Sequence, residues 1–164
     1  MRKAFTLIEL MVVVAIISII LAISAQALMS TRKEREVKNL AEQTKIRLVA
    51  ARQFAVIPPS EVHDLQKVKI TVDNSAHAII ISKIKNSGSS DGEISRINFG
   101  NQITLSLTNP ESGSTNSFSF TANNPHYFGQ IQNVGGNVIV SISNDVATYK
   151  VEIDQVSGSI KVNK

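Results

Sequence analysis

The chain has 164 residues, 43% of them apolar, with 17 Lys and Arg, 13 Asp and Glu, a net charge of +4 and no cysteine. That length holds one domain plus an extension but not two ordinary domains, and the missing cysteines exclude disulfides and thiolate metal sites. Removing Arg2 and Lys3 from the 17 basic side chains would leave 15 against 13, a net +2, too small an excess to argue for nucleic-acid binding.

The chain opens with a short positive lead, Arg2-Lys3, and then runs almost wholly apolar from Phe5 to Leu28, with Glu9 as the sole charge. At about 1.5 Å per residue those helical residues extend about 36 Å, enough to cross a hydrocarbon core of about 30 Å. The basic lead favours a cytoplasmic N-terminus. Three readings compete. A secretory signal peptide needs a shorter apolar core and a small-x-small site, for which Ala22-Ile23-Ser24 and Ala25-Gln26-Ala27 are the candidates. A plain signal anchor accounts for everything except Glu9. A carboxylate inside an apolar span is costly and usually functional, and only the third reading gives it a use.

That reading rests on Ala4-Phe5-Thr6-Leu7-Ile8-Glu9-Leu10-Met11-Val12, which resembles the class III signal of the type IV pilin superfamily, the type II secretion pseudopilins included. The resemblance implies that a prepilin peptidase cuts between Ala4 and Phe5, that the new Phe5 amine is methylated, and that Glu9 is the acid kept for assembly. The family usually has Gly before the cut; this chain has Ala4. The freed amine is protonated at neutral pH. A poorly solvated carboxylate recovers much of its burial cost when paired. The family picture has Glu9 of an incoming subunit meet the Phe5 amine of a neighbour.

After Leu28 come the alternating charges Arg32-Lys33-Glu34-Arg35-Glu36, read as a solvated juncture in preference to a lipid-binding site because the signs alternate. Val37, Leu40, Ala41, Thr44, Leu48, Ala51 and Ala55 recur at 3–4 spacing and mark one apolar stripe. Arg35, Lys38, Glu42, Lys45 and Arg52 lie off it, with Glu34–Lys38 and Glu42–Lys45 spaced for local ion pairs. These features predict one helix over residues 5–57, stopped by Pro58-Pro59.

The rest reads as strands: residues 68–72, 78–81, 94–99, 103–107, 117–121, 137–142, 148–153 and 159–162. Turn clusters at 86–92, 109–113, 135–136 and 157–158 separate them. The Ser-rich 86–92 stretch reads as a hairpin loop, and the last three strands as a meander. Phe118, Phe120, Tyr127 and Phe128 read as core plugs beneath a loop, with a subunit or substrate contact as the alternative. The expected fold is α+β, a long N-terminal helix packed on an antiparallel β-sheet head. The expected division is a leader at 1–4, a membrane and filament-core helix at 5–28, its amphipathic continuation at 29–57, and a periplasmic head at 58–164.

Within the superfamily, the stretch from Phe118 to Val162 resembles the head shared by H-type minor pseudopilins of type II secretion and the FimT/FimU minor pilins. The points of likeness are the Phe-rich strand, Tyr127-Phe128-Gly129, the Gly-Gly turn and the closing Ser157-Gly158-Ser159-Ile160-Lys161-Val162. FimT-like DNA-uptake pilins tend to end in a Gly-Arg-x-Arg type tail, and here Gly158-Ser159-Ile160-Lys161 carries one cation. The H-type pseudopilin is the favoured member and a FimT/FimU-like pilin of pilus assembly or DNA uptake the alternative, with Lys150, Lys161 and Lys164 as the cations left for DNA.

The resemblance implies a structural subunit near a filament tip. Its partners would be major and minor pseudopilins, the prepilin peptidase and an inner-membrane assembly platform. No enzyme signature, cofactor motif or metal-ligand spacing occurs. His63, His77 and His126 are scattered and read as surface or loop residues, and Asp145 and Asp154 are too isolated for a calcium loop.

Overall fold

The computed structural model describes residues 7–58, 64–85, 87–111, 113–122, 131 and 136–164. Helix α1 spans Leu7–Val56 and is about 75 Å long at the standard rise. Its last turn closes with the Ile57 N–H donating to the Gln53 carbonyl at 2.8 Å. Pro58 follows, and the residue before a proline is disfavoured in helical geometry.

Eight strands follow: β1 (Leu65–Asp73), β2 (Ala78–Lys85), β3 (Ser90–Asn98), β4 (Thr104–Thr108), β5 (Ser117–Thr121), β6 (Val138–Ser143), β7 (Thr148–Ile153) and β8 (Ile160–Asn163). Each contains or overlaps a predicted segment. With α1 they build the α+β fold with an antiparallel head that was expected. They divide into two four-stranded antiparallel sheets, β3-β2-β1-β5 and β4-β6-β7-β8. The predicted closing meander is β6-β7-β8, within the second sheet.

Asp73 and Asn74 tie the sheets together. The Asp73 carboxylate accepts the Ser75 and Ala76 N–H groups, each at 2.9 Å, and so closes the β1–β2 turn. Asn74 then treats β4 as a strand partner: its Nδ2 donates to the Leu105 carbonyl at 2.8 Å and its Oδ1 accepts the Leu105 N–H at 3.0 Å.

The predicted hairpin loop at 86–92 is shorter than expected. Ser90 pairs with Ile84 and Glu93 with Ser82 across two register shifts. Backbone ladders need only N–H and C=O groups, so serines extend a strand when the partner is already ordered. Gly92, at φ 106°, takes a conformation that L side chains avoid.

The helix stripe is the keel of the core. Val37, Leu40, Ala41, Thr44, Leu48, Ala51 and Ala55 are all buried, and α1 touches β1 and β5 of the first sheet and β6, β7 and β8 of the second. Alternate residues meet it from the strands, among them Val68, Ile70, Val140, Ile142, Val151 and Ile153. Phe118 and Phe120, the expected plugs, are fully buried and meet edge to face with centroids 5.9 Å apart, a favourable ring geometry. Tyr127, Phe128 and Gly129 lie outside the described residues.

On β5 the other face is covered as well. Ser117 and Ser119 are buried beneath the segment that precedes the strand. Ser119 Oγ donates to Glu111 Oε2 at 2.7 Å, and Lys67 Nζ reaches Glu111 Oε1 at 2.6 Å. A largely buried carboxylate so placed has its charge and lone pairs met.

Candidate assembly interface

The part of α1 that touches no head element is its first half. Residues 7–24 and 26–32 are exposed, including Leu7, Ile8, Leu10, Met11, Val12, Ile16, Ile20 and Leu28. Among the described residues this helix is long and apolar enough to cross a membrane, and its most apolar window has a mean hydropathy of 2.9 with none of it buried. The hydroxyls in the stem are turned inward. Ser18 donates to the Val14 carbonyl and Ser24 to the Ile20 carbonyl, each at 2.8 Å, while Thr31 and Ser30 donate to the Ala27 carbonyl at 3.0 Å. Each of these hydroxyls is satisfied on its own helix, so apart from Glu9 and Gln26 the stem presents an apolar surface.

Glu9 stands in the first described turn, exposed on that surface. Ala4 and Phe5, the predicted cleavage and methylation residues, lie outside the described residues, as do His63 and His126.

A smaller apolar surface lies higher on the same helix. Ile46 and Ile57 are 64% and 78% exposed, and Val49 and Val56 are each 37% exposed. Their spacing puts Ile46 and Ile57 opposite the buried stripe and Val49 and Val56 on its flank. An open cleft of about 310 Å³ runs beside them toward Gly158 and Ile160. There Arg52 Nη2 donates to the Ser157 carbonyl at 2.8 Å.

The juncture between stem and head is not the freely solvated charge run expected. Lys33 Nζ pairs with Asp145 at 2.6 Å, and Asn144 Nδ2 donates to the Lys33 carbonyl at 3.0 Å. Glu34 pairs with Lys164 and also accepts the Tyr149 hydroxyl at 3.3 Å. The ammonium of Lys164 lies 5.9 Å from the Tyr149 ring centroid. Hydrogen bonding and the charge of Lys164 hold the Glu34 carboxyl below its ordinary range; Lys38, its expected local partner, contributes last. The hydrogen bond from Lys33 does the same for Asp145. Sequence reading missed these contacts because the partners stand more than a hundred residues apart and nothing in the spacing of either member announces the other.

His77 sits in the β1–β2 turn with its ring edge-on to Phe99, centroids 5.7 Å apart. Asp154 does local work: its carboxylate accepts the Ser157 N–H at 2.6 Å and the Ser157 hydroxyl at 2.7 Å, and these bonds hold its carboxyl below the ordinary range. Among the described residues no three His, Asp or Glu side chains come together as a metal site would require.

The prokaryotic N-terminal methylation motif, the type IV pilin signal, matches residues 1–25. The fold is similar to that of the minor pseudopilin EpsH from the Type 2 Secretion System of Vibrio cholerae, with a TM-score of 0.55 at 13% identity, over 78% of this chain and 96% of that one. Curated protein sequences give no match. The chain thus joins a pilin-type methylation signal to a pseudopilin-like α+β fold, and its apolar N-terminal helix and signal point to membrane anchoring.

Proposed function

We propose that the chain is a structural subunit, a minor pseudopilin, of a type II secretion pseudopilus. The observation that carries this reading is an apolar stem, with one carboxylate in register with a methylation signal, on a head folded like that of EpsH. The precursor crosses the inner membrane once, with residues 5–28 as the span and the 58–164 head in the periplasm. Prepilin peptidase cuts between Ala4 and Phe5, and Phe5 is methylated. In this account the chain is the peptidase's substrate and has no catalytic role of its own.

Assembly follows from the same physics. Apolar stems gain nothing from lipid over one another by hydrophobicity alone, so close packing and polar pairing decide association. Glu9 of an incoming subunit meets the Phe5 ammonium of a neighbour, and that pair sets the axial register as stems leave the bilayer on the assembly platform. The exposed stripe at Ile46, Val49 and Ile57 gives neighbours a second apolar surface. The place of a minor subunit is near the tip, among major and minor pseudopilins.

Glu9→Ala tests the reading. The variant is expected to insert in the membrane as the wild type does, yet to be missing from sheared filaments and to abolish export of the system's substrates. Normal incorporation would remove Glu9 from the mechanism.

A further inference from the structure

The edge of the head nearest the stem is tied to a fixed height on α1. Measured from Met29, the apolar residue that follows the 5–28 run, the helical rise puts Arg32 about 4.5 Å, Lys33 about 6 Å and Arg35 about 9 Å further along the axis. A bilayer's headgroup layer adds about 5–7 Å on each side of its hydrocarbon core. The β6–β7 turn is held at the level of Lys33 by the Lys33–Asp145 pair and the bond from Asn144 to the Lys33 carbonyl. Val146, at the tip of this turn, is an apolar side chain 43% exposed.

Among the described residues, two of the three carboxylates near this level are paired. Asp145 is held by Lys33, and Glu34 by Lys164 and Tyr149. Glu36 stays exposed, its Oε1 3.2 Å from where a Cβ on Gly100 would stand. Arg32, Arg35 and Lys38 stay exposed on the outer side of the helix. With Glu34 paired to Lys164, the exposed charges at 32–36 are Arg32 and Arg35 against Glu36, a positive excess where the sequence alone alternates.

We infer that this edge, made of Arg32, Arg35 and the Val146 turn, binds the phosphates of anionic phospholipid and holds the head of the unassembled subunit against the bilayer. The inference rests on the reading of residues 5–28 as a membrane span. Guanidinium groups pair with phosphate in forked geometry. Each basic residue near an anionic surface strengthens adsorption roughly fivefold, and the attraction is confined within about 10 Å at 0.1 M salt. Arg32 and Arg35 rise within that distance of the apolar run, whereas Lys38, about 13.5 Å along the axis, stands beyond it.

The chain lacks cysteine, so Val146→Cys carries a single fluorophore. The full chain is reconstituted in vesicles of phosphatidylcholine alone or mixed with phosphatidylglycerol, with nitroxide quenchers at the headgroups. Quenching is expected to rise roughly twofold or more with phosphatidylglycerol and to fall back in 1 M salt, where screening acts over about 3 Å. Arg32→Gln with Arg35→Gln should lose the dependence on phosphatidylglycerol, and the double Lys variant should keep it. Inorganic phosphate at matched ionic strength should change nothing.

Quenching indifferent to phosphatidylglycerol overturns the inference, as does displacement by inorganic phosphate, which would assign the cations to the free ion. Alkaline extraction of the same vesicles separates the two readings. A retained chain without lipid dependence sinks the lipid surface alone, whereas an extracted chain sinks the span and this inference with it.

Discussion

Arg52 and Gly158 meet so closely that a Cβ added to Gly158 would stand 2.5 Å from the Arg52 Nε and 2.6 Å from its Cζ. The glycine has φ 65°, and the guanidinium crosses it to reach the Ser157 carbonyl. This contact fastens the upper half of α1 to the β7–β8 turn, so the same glycine serves turn geometry and helix docking. Gly158→Ala is expected to destabilise the full chain in micelles by about 1–2 kcal/mol, the cost of a left-handed alanine, plus the displacement of Arg52. Urea titration measures it. In an Arg52→Ala background the displacement part should vanish and the backbone part remain. Equal penalties in both backgrounds would show that the guanidinium is not crowded.

The stem–head juncture should weaken in acid. Glu34, through Lys164, and Asp145, through Lys33, have folded pKa values below their ordinary ones. A depressed carboxylate contributes stability that is present above its unfolded pKa and is lost as pH falls through its folded value. Thermal midpoints should therefore hold near neutrality and decline as pH drops below about 4. Lys164 is raised by the same pair, and its contribution is lost as pH rises through its folded value. Glu34→Gln with Asp145→Asn should flatten the acid limb in part, because Glu93 and Asp154 are lowered as well. An unchanged acid limb would show that these exposed pairs add nothing, as happens for many surface ion pairs.

How far the sequence could be read depended on whether each signal was local. The stripe from Val37 to Ala55 was legible because helical periodicity is set within a few residues, and all of it is buried. The strands were legible from alternation and turn residues; β5 and β7 begin and end where expected. Apart from the closing β6-β7-β8 meander, which strands share a sheet was not legible. The pairing of Lys67 with Thr121 is decided by long-range packing that leaves no trace in either segment. Nothing in the alternation of Ser117 and Ser119 with Phe118 and Phe120 announces that Glu111 and its neighbours cover the serines as well. Glu34 read as a local partner of Lys38, and Lys164, 130 residues away, took it instead. In the candidate site, the register of Glu9 with the motif stood out because the rest of the stem is apolar. The clamp at Lys33 and Glu34 was invisible for the reason that hid the sheets.

Thr44 is the polar member of the helix stripe. It is fully buried, and its hydroxyl has no hydrogen-bond partner. Leaving a buried hydroxyl unpaired costs roughly 1–3 kcal/mol, and replacing it with an apolar group of the same shape removes that cost. Thr44→Val should raise the urea midpoint, with a stabilisation of about 1 kcal/mol at an unchanged m-value. A lowered midpoint would mean that the hydroxyl is bonded in solution.

The intact mass of the chain purified from its own membrane tests the central claim most directly. The account predicts the mass of residues 5–164 plus one methyl group, with fragmentation placing that methyl on the Phe5 nitrogen. A chain that still begins at Met1, or one trimmed beyond the apolar run, would contradict it, because Glu9 would then have no neighbouring Phe5 ammonium to meet.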